Sequence, residues 1–290
     1  MRTEREMMDL ILGVARGDER VRAVFLNGSR TNIHAPRDPF QDYDVVYMVE
    51  NVREFRGDDG WICVFGEELI FQFPDESSLF PEEPEERYHY LMQFSDGNRI
   101  DLTLLPTADL DEYLREDKLT VLLLDKDGRI GKLPAPTDED YRVRRPSERE
   151  YMDCCNEFYW VSNYTAKGLW REEIPYAHET LDRYVRDMLN LMLGWRVGVD
   201  TDFSVSVGKG GKYLKNYLPP ELYARMLRTY AGGETEQIWD ALEIMQELFR
   251  DCALAVGTAL GFAFPERWHD NVTRFCRHIR ALPKDAKEIW

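Results

Sequence analysis

The sequence has few of the features of a secreted or membrane protein. It contains five cysteines, an odd number without a Cys-x-x-Cys pair, so we expect free thiols in a reducing cytoplasm. Its longest apolar run, residues 252–264, has 13 residues, whereas a membrane-spanning helix needs about 20. The first 16 residues interleave charged and apolar side chains, a pattern that predicts no signal peptide. These observations indicate a cytoplasmic protein that does not insert into membranes.

Basic residues are outnumbered by acidic ones, and histidines are few. There are 37 Lys and Arg against 54 Asp and Glu, which gives a net charge of −17. Such a surface repels phosphate backbones, so we expect no nucleic-acid partner, and it would attract a polycation. The five histidines include no pair at i, i+4, so a zinc site is not expected. With 43% hydrophobic and 12% aromatic residues, the chain is not disordered, collagen-like or a disulfide mini-protein.

The length of 290 residues suggests one large or two medium domains. The first half is rich in short runs that are typical of strands, and it has two helical patterns. Asp96-Gly97 predicts a tight hairpin turn, and the Pro- and Glu-rich residues 81–86 predict an acidic loop. The predicted strands are residues 21–26, 43–49, 61–65, 69–73, 88–94, 98–105 and 120–124, and the predicted helices are residues 4–16 and 110–116.

The second half changes character after a Pro-containing, charged stretch at residues 131–145. Ser147 and Glu150 match a helix capping box, and helical patterns continue to the end of the chain. The sequence therefore predicts an α+β protein with a mixed-sheet domain (1–135), a linker (136–146) and a helical-bundle domain (147–290). The predicted helices of the second half are residues 148–167, 178–196, 221–230, 236–260 and 267–281.

Three acidic residues are the most informative feature of the first domain. Asp42 and Asp44 alternate along a predicted strand and therefore share one face. Two carboxylates on one face repel each other unless a cation joins them. Asp101 lies among apolar residues on another predicted strand. If that strand lies beside the first, three carboxylates converge on a site that suits Mg²⁺ shared with substrate phosphates.

Gly28 and Ser29 follow the first predicted strand, where a helix begins. Glycine lets the backbone approach a phosphate, and Ser29 offers a hydroxyl. A phosphate-binding loop beside a metal-binding acid pair is typical of phosphoryl or nucleotidyl transfer. Each element alone is also typical of an ordinary turn, a solvated strand edge or a paired aspartate. The ordered combination is much more specific than its parts.

The motifs Gly28-Ser-Arg30, Asp42-Tyr-Asp44 and Arg99-Ile-Asp-Leu-Thr103 resemble the nucleotidyltransferase superfamily that includes DNA polymerase beta. More closely, residues 26–32, 40–49, 61–67 and 99–104 are similar to the bacterial aminoglycoside 6-adenylyltransferases. The similarity continues at residues 167–195 and 205–218, so it covers nearly the whole chain. The resemblance implies a nucleotidyltransferase sheet domain that transfers AMP from MgATP to a hydroxyl of a streptomycin-type aminoglycoside, with release of pyrophosphate.

The resemblance also implies roles for individual residues. Asp42, Asp44 and Asp101 would be the catalytic, metal-binding acids. Nucleotide binding falls to Gly28, Ser29, Arg30, Lys209, Lys212 and Lys215. The three lysines form a basic loop that is unusual in so acidic a chain, and flexible glycines would let them meet phosphate oxygens.

The cationic acceptor requires acids of its own. Glu172, Glu173, Glu179 and Asp182 are candidates for guanidinium or amine groups, although a solvated helix face is the more common meaning of such a pattern. The general base is either Asp101 or Glu179. Two other functions stay open: a nucleotidyltransferase with another acceptor, and a catalytically silent nucleotide-binding module. We expect a monomer or weak dimer.

Overall fold

The computed structural model describes residues 1–57, 59–79 and 86–290. The chain divides into two compact units, Met1–Asp140 and Tyr141–Trp290. The first contains a mixed β-sheet with helices and the second is helical, so the predicted α+β class is confirmed. The predicted acidic loop at residues 81–86 lies, apart from Glu86, outside the described residues. All five cysteines are described and each is a free thiol. Among the described helices, none combines the length and apolarity that crossing a bilayer requires.

The sheet of the first unit creates the setting for the acidic residues. Within the described residues its order is β3-β4-β5-β2-β1-β6. β2 and β5 run parallel, and the other neighbouring strands are antiparallel. This parallel register places Asp44 directly beside Asp101, and the β1 register places Asn27 on the other side of Asp44. The strands are β1 (Val21–Asn27), β2 (Tyr43–Val49), β3 (Glu68–Gln72), β4 (Tyr88–Phe94), β5 (Arg99–Pro106) and β6 (Val121–Asp125).

Helices cover both faces of this sheet because its strands alternate. α1 (Glu4–Gly17) begins at a capping box formed by Thr3 and Glu6, and it buries an apolar stripe on one face. Tyr47 from that face donates a hydrogen bond to the Ile11 carbonyl at 2.6 Å. α2 (Leu110–Glu116) packs on the other face through Tyr113. Val46 and Met48 share that second face, and by the period of two so does Asp44.

One predicted strand is wrong. Residues 61–65 lie in a 3₁₀ helix, Asp59–Phe65. Ile62 and Phe65, three positions apart, are both buried, which is the spacing of a helical turn rather than the alternation of a strand. Trp61 packs edge-on against Phe55, Phe65 and Tyr90. Aromatic packing under the sheet therefore decides the local structure here, over the β propensity of the run.

The second unit is built around α3, which begins at the predicted capping box of Ser147 and Glu150. Phe158 of α3 stacks on Phe249 of α8 with ring centroids 3.8 Å apart. The predicted helix at 178–196 is interrupted by a π-helical segment, Thr180–Val185. The helices are α3 (Glu148–Trp170), α4 (Ile174–Glu179), α5 (Arg186–Asp200), α6 (Leu214–Tyr217), α7 (Pro220–Leu227), α8 (Thr235–Leu260) and α9 (Glu266–Ala281).

Candidate active site

Three carboxylates converge at one end of the sheet. Asp42 lies immediately before β2, Asp44 is the second residue of β2, and Asp101 is its neighbour on β5. Each offers an oxygen within 4.8 Å of the oxygens of the other two. The parallel pairing of β2 and β5 causes this convergence, because it brings the starts of both strands to the same edge.

The electrostatics of this triad favour a bound cation. Burial, together with the charges of Asp42 and Asp101, raises the pKa of Asp44 from 3.8 to about 7. A hard divalent cation would offset that repulsion, and three carboxylates are a donor set that Mg²⁺ accepts. The residues present therefore fit a hard divalent cation.

Gly28 lies against this triad. β1 ends at Asn27, and a 3₁₀ turn, Gly28–Arg30, follows. Gly28 has a φ of +69°, which a side chain would strain, and its Cα lies against the carboxylate of Asp44. The next residue, Ser29, accepts a hydrogen bond at its hydroxyl from Gln41 at 3.3 Å. The sequence-predicted Gly28-Ser29 loop and the acid triad thus occupy one edge of the sheet.

Arg30 supports the segment that carries Asp42. Its Nε donates to the Asp42 carbonyl at 2.8 Å, and a second guanidinium nitrogen donates to the Gln41 carbonyl at 2.7 Å. The guanidinium also lies 3.6 Å from the centroid of the Tyr43 ring, and its side chain is 9% exposed. In these contacts Arg30 positions backbone, and its expected role in nucleotide binding stays a prediction.

Asp101 has a partner that the sequence pattern did not identify as functional. Arg99, two residues earlier on the same face of β5, donates to both carboxylate oxygens of Asp101 at 2.7 Å. A fork-to-fork pair of this kind fixes the orientation of the carboxylate. The Arg99 side chain is 45% exposed, so the guanidinium can also reach solvent. The signal was present, because arginine at i−2 on a strand shares a face with residue i.

Polar side chains that the sequence analysis did not select surround the triad. Asn27 accepts a hydrogen bond from the Tyr113 hydroxyl at 2.6 Å and donates to Thr120 at 3.0 Å. Asn27, Tyr113 and His89 line a cavity of about 240 Å³ beside Asp44 and Asp101. Their positions depend on strand order, which the sequence alone does not reveal. Only Asn27 stood directly beside a recognised motif.

The lysine loop of the second unit is glycine-rich and turned, as its sequence suggests. Gly208, Gly210 and Gly211 all have positive φ; Gly208 precedes a short 3₁₀ helix, Lys209–Gly211, which contains the other two. Lys212 has its ammonium 5.1 Å from the centroid of the Tyr213 ring. Within the described residues, none of the lysines at 209, 212 and 215 forms an ion pair.

The four acids expected to contact the acceptor each have a cationic partner. Their partners are Lys284 for Glu172 (3.3 Å), Arg171 for Glu173 (3.9 Å), Arg183 for Glu179 (3.6 Å) and Arg186 for Asp182 (2.6 Å), whose Oδ2 also lies 3.1 Å from Nδ1 of His178. Arg186 is itself buried and also donates to the Thr229 carbonyl and hydroxyl. Asp182 is therefore part of a structural network in the helical unit, whereas the other three pairs are exposed.

Comparisons with known proteins found a matching family model and several similar proteins. A family model described as streptomycin adenylyltransferase matches residues 1–279. An aminoglycoside 6-adenylyltransferase of Campylobacter jejuni is 43% identical over 265 residues, 91% of this chain and 92% of that protein. Another from Bacillus subtilis (strain 168) is 39% identical over 280 residues, 96% of this chain and 98% of that protein. A crystal structure of an aminoglycoside 6-adenyltransferase from Bacillus subtilis is 35% identical, covers 97% of this chain and 100% of that one, and has a TM-score of 0.49.

Proposed function

Because the chain belongs to the streptomycin adenylyltransferase family and is therefore a nucleotidyltransferase, we propose that it adenylylates streptomycin-type aminoglycosides. AMP would pass from MgATP to a hydroxyl of the antibiotic, and pyrophosphate would leave. The names of the relatives point to the 6-hydroxyl as the acceptor.

The observation that carries this proposal is the convergence of Asp42, Asp44 and Asp101 within 4.8 Å. When bound there, Mg²⁺ would supply charge neutralisation for the triphosphate and for the oxygens of the transferring phosphoryl group. The acids themselves hold this position through the parallel register of β2 and β5, which leaves little freedom to Asp44 and Asp101.

The reaction requires one proton transfer. The acceptor hydroxyl oxygen forms a bond to the α-phosphorus of ATP, and the bond from that phosphorus to the bridging oxygen of the β-phosphate breaks. The hydroxyl proton passes to a carboxylate. Membership of the triad and a fixed orientation support Asp101 as this base. Glu179, exposed and with its nearest ion pair at 3.6 Å, is the alternative.

The remaining residues of the proposal bind the substrates. Gly28 and Ser29 would take part in holding the triphosphate, supported by the positive φ of Gly28 beside Asp44. The lysines at 209, 212 and 215 would supply positive charge to phosphate oxygens, supported by the lack of any ion pair on them within the described residues. Glu172, Glu173, Glu179 and Asp182 stay candidates for the acceptor, in competition with the cations that they already bind.

The decisive experiment is direct. The protein is incubated with MgATP and a panel of aminoglycosides, and mass spectrometry detects an antibiotic that has gained one AMP, with pyrophosphate measured in parallel. We expect modification of streptomycin and none with Asp44→Asn. ATP turnover with a different acceptor, or no Mg²⁺-dependent turnover at all, would refute the proposed function.

A further inference from the structure

A large cavity lies within the helical unit. It has a volume of about 1000 Å³ and is formed by α3, α5, the Ser206–Lys209 segment and residues 141–146. α3 contributes Glu150, Asp153, Cys154 and Glu157, which at spacings of three, four and seven share one helix face. Cavities that bind drug-sized molecules have volumes of roughly 300–1000 Å³. This one is large enough for a trisaccharide.

Part of the cavity lining is apolar. Trp195, Leu191 and Met188 of α5 contribute to this part together with Val207. Gly194 lies between them, and a Cβ built on Gly194 would find its nearest neighbour, Val207, only at 4.0 Å. The absence of a side chain at position 194 therefore adds to the depth of the cavity. Sugar rings present apolar faces that pack on such surfaces, and cationic groups are attracted to a Trp ring.

The lining also includes polar side chains without partners among the described residues. In the part of the chain that the structure describes, the side chains of Asn156, Glu157 and Asn190 form neither a hydrogen bond nor an ion pair, and all three line the cavity. Glu150, by contrast, binds Arg144 at 2.5 Å, and Asp153 lies 3.5 Å from Arg149. A mostly apolar lining with a few polar groups is the usual composition of a ligand site. Lys209 also lines the cavity, but Glu157, which is exposed and unpaired within the described residues, gives it a carboxylate that favours a cationic group.

We propose that this cavity binds the cationic aminoglycoside acceptor, with Glu157 as the partner of a guanidinium or ammonium group and Trp195 under a sugar ring. This inference rests on the proposed function and assigns its acceptor subsite. Glu157 differs from the four acids selected in the sequence, each of which already has a cation within 4 Å. Asn156 and Asn190 would bind hydroxyl groups of the sugar.

The test compares variants on one helix. Glu157→Gln and the charge reversal Glu157→Lys change the cavity, whereas Glu148→Gln changes an exposed glutamate of α3 outside the cavity lining. We expect Glu157→Gln to raise the KM for streptomycin about tenfold or more and Glu157→Lys to raise it further, because charge-assisted bonds are lost and then replaced by repulsion. The KM for ATP should change less than twofold. Glu148→Gln should match the wild type.

Two further measurements test the cavity independently: the dependence of the KM on ionic strength, and a substitution that reduces the volume of the cavity. Rising ionic strength should increase the KM for streptomycin in the wild type and less so in Glu157→Gln, because the screened charge is gone. Gly194→Leu should raise the same KM by filling part of the cavity, without a change in the salt dependence. Thermal unfolding checks that each variant is folded.

Failure of this inference is distinguishable from failure of the proposed function. If the wild type adenylylates streptomycin and the Glu157 variants behave like Glu148→Gln, the cavity is not the acceptor site and the function stands. A rise in KM confined to Glu179→Gln and Asp182→Asn, or a rise for ATP rather than streptomycin, would also overturn it. If the wild type modifies no aminoglycoside, calorimetry with streptomycin decides: binding that Glu157→Gln weakens supports the cavity, and absence of binding overturns it.

Discussion

The Cα of Gly28 lies so close to the Asp44 carboxylate that a Cβ at position 28 would stand 2.0 Å from Oδ2 of Asp44. No rotation of a methyl group relieves such an overlap, so any side chain at position 28 must displace the carboxylate or the turn. The turn after β1 and the acid of β2 are therefore coupled sterically.

Gly28→Ala is accordingly expected to abolish most adenylylation, with a loss above about a hundredfold in kcat/KM because Asp44 is moved. Its matched control is Gly97→Ala, which has a similar positive φ of 87° and nothing within 4 Å of the new Cβ. Both substitutions should destabilise the fold by about 1–2 kcal/mol through backbone strain. Only Gly28→Ala should lose activity, as measured by steady-state rates beside urea unfolding. Equal losses in both variants would contradict the steric coupling.

The raised pKa of Asp44 predicts a pH-dependent stability of the metal-free protein. Folding raises this pKa from 3.8 to about 7, so the folded state binds the proton more tightly than the unfolded state. The stabilising contribution is complete below pH 4 and is lost as the pH rises through 7. Asp44→Asn should therefore become progressively more stable than the wild type as the pH rises from 4 through 7, and at pH 8 the difference should be on the order of 2–4 kcal/mol.

Urea unfolding in EDTA at pH 4, 6 and 8 measures this gain. Adding Mg²⁺ should raise the stability of the wild type at pH 8 and leave Asp44→Asn almost unchanged, because the cation offsets the same repulsion. If the free energies of unfolding of the wild type and Asp44→Asn differ by the same amount from pH 4 to 8, ionised Asp44 does not destabilise the fold.

The identity of the general base predicts a separation of rate from affinity. We expect Asp101→Asn to lower kcat by about a hundredfold or more while the Kd for MgATP, from calorimetry, changes less than tenfold. If Asp101 only binds metal, the affinity should fall in parallel with the rate. Glu179→Gln is the comparison, and a larger loss of kcat there than in Asp101→Asn would assign the base to Glu179.

If the lysine loop binds ATP, substitutions in it should lower kcat/KM for ATP and leave the KM for the acceptor nearly unchanged. Lys212→Ala and Lys215→Ala should each lower kcat/KM for ATP roughly ten- to hundredfold, since one lysine–phosphate contact contributes about 1.5–3 kcal/mol. The KM for streptomycin should change much less. Lys287→Ala, an exposed lysine of the same unit, serves as the control. Unchanged values of kcat/KM for ATP in both loop variants would show that Lys212 and Lys215 are solvated surface residues that do not bind ATP.

Much of the site could be predicted from the sequence because its residues lie in short motifs, each of which is contiguous in the chain. The period of two placed Asp42 and Asp44 on one face, and a glycine directly after a strand marked the turn at Gly28. Their convergence with Asp101 required one further assumption, that β5 lies beside β2. That assumption holds in the structure, but nothing in the sequence specifies a parallel pair in an otherwise antiparallel sheet.

The sequence-based predictions differ from the structure where contacts between residues that are distant in the chain determine the local structure. Residues 61–65 form a 3₁₀ helix because Trp61 packs against aromatic residues from other elements, which no local pattern reveals. Likewise, the availability of an acid depends on its neighbours in space. Glu179 and Asp182 stood out in the sequence and have partners, whereas Glu157 was not selected and has none among the described residues.

The parallel pairing of β2 with β5 has a consequence for how the enzyme acquires activity as it folds. Asp44 and Asp101 meet only when two strands that are distant in the chain have aligned, and long-range pairing of this kind pays its loop-closure entropy before its contacts form. The helices of the second unit, by contrast, consist of local contacts. During refolding from denaturant, a helical circular-dichroism signal can therefore return well before catalysis does. The rate at which activity returns would then measure the rate at which β2 and β5 pair, which would be the slowest step of folding.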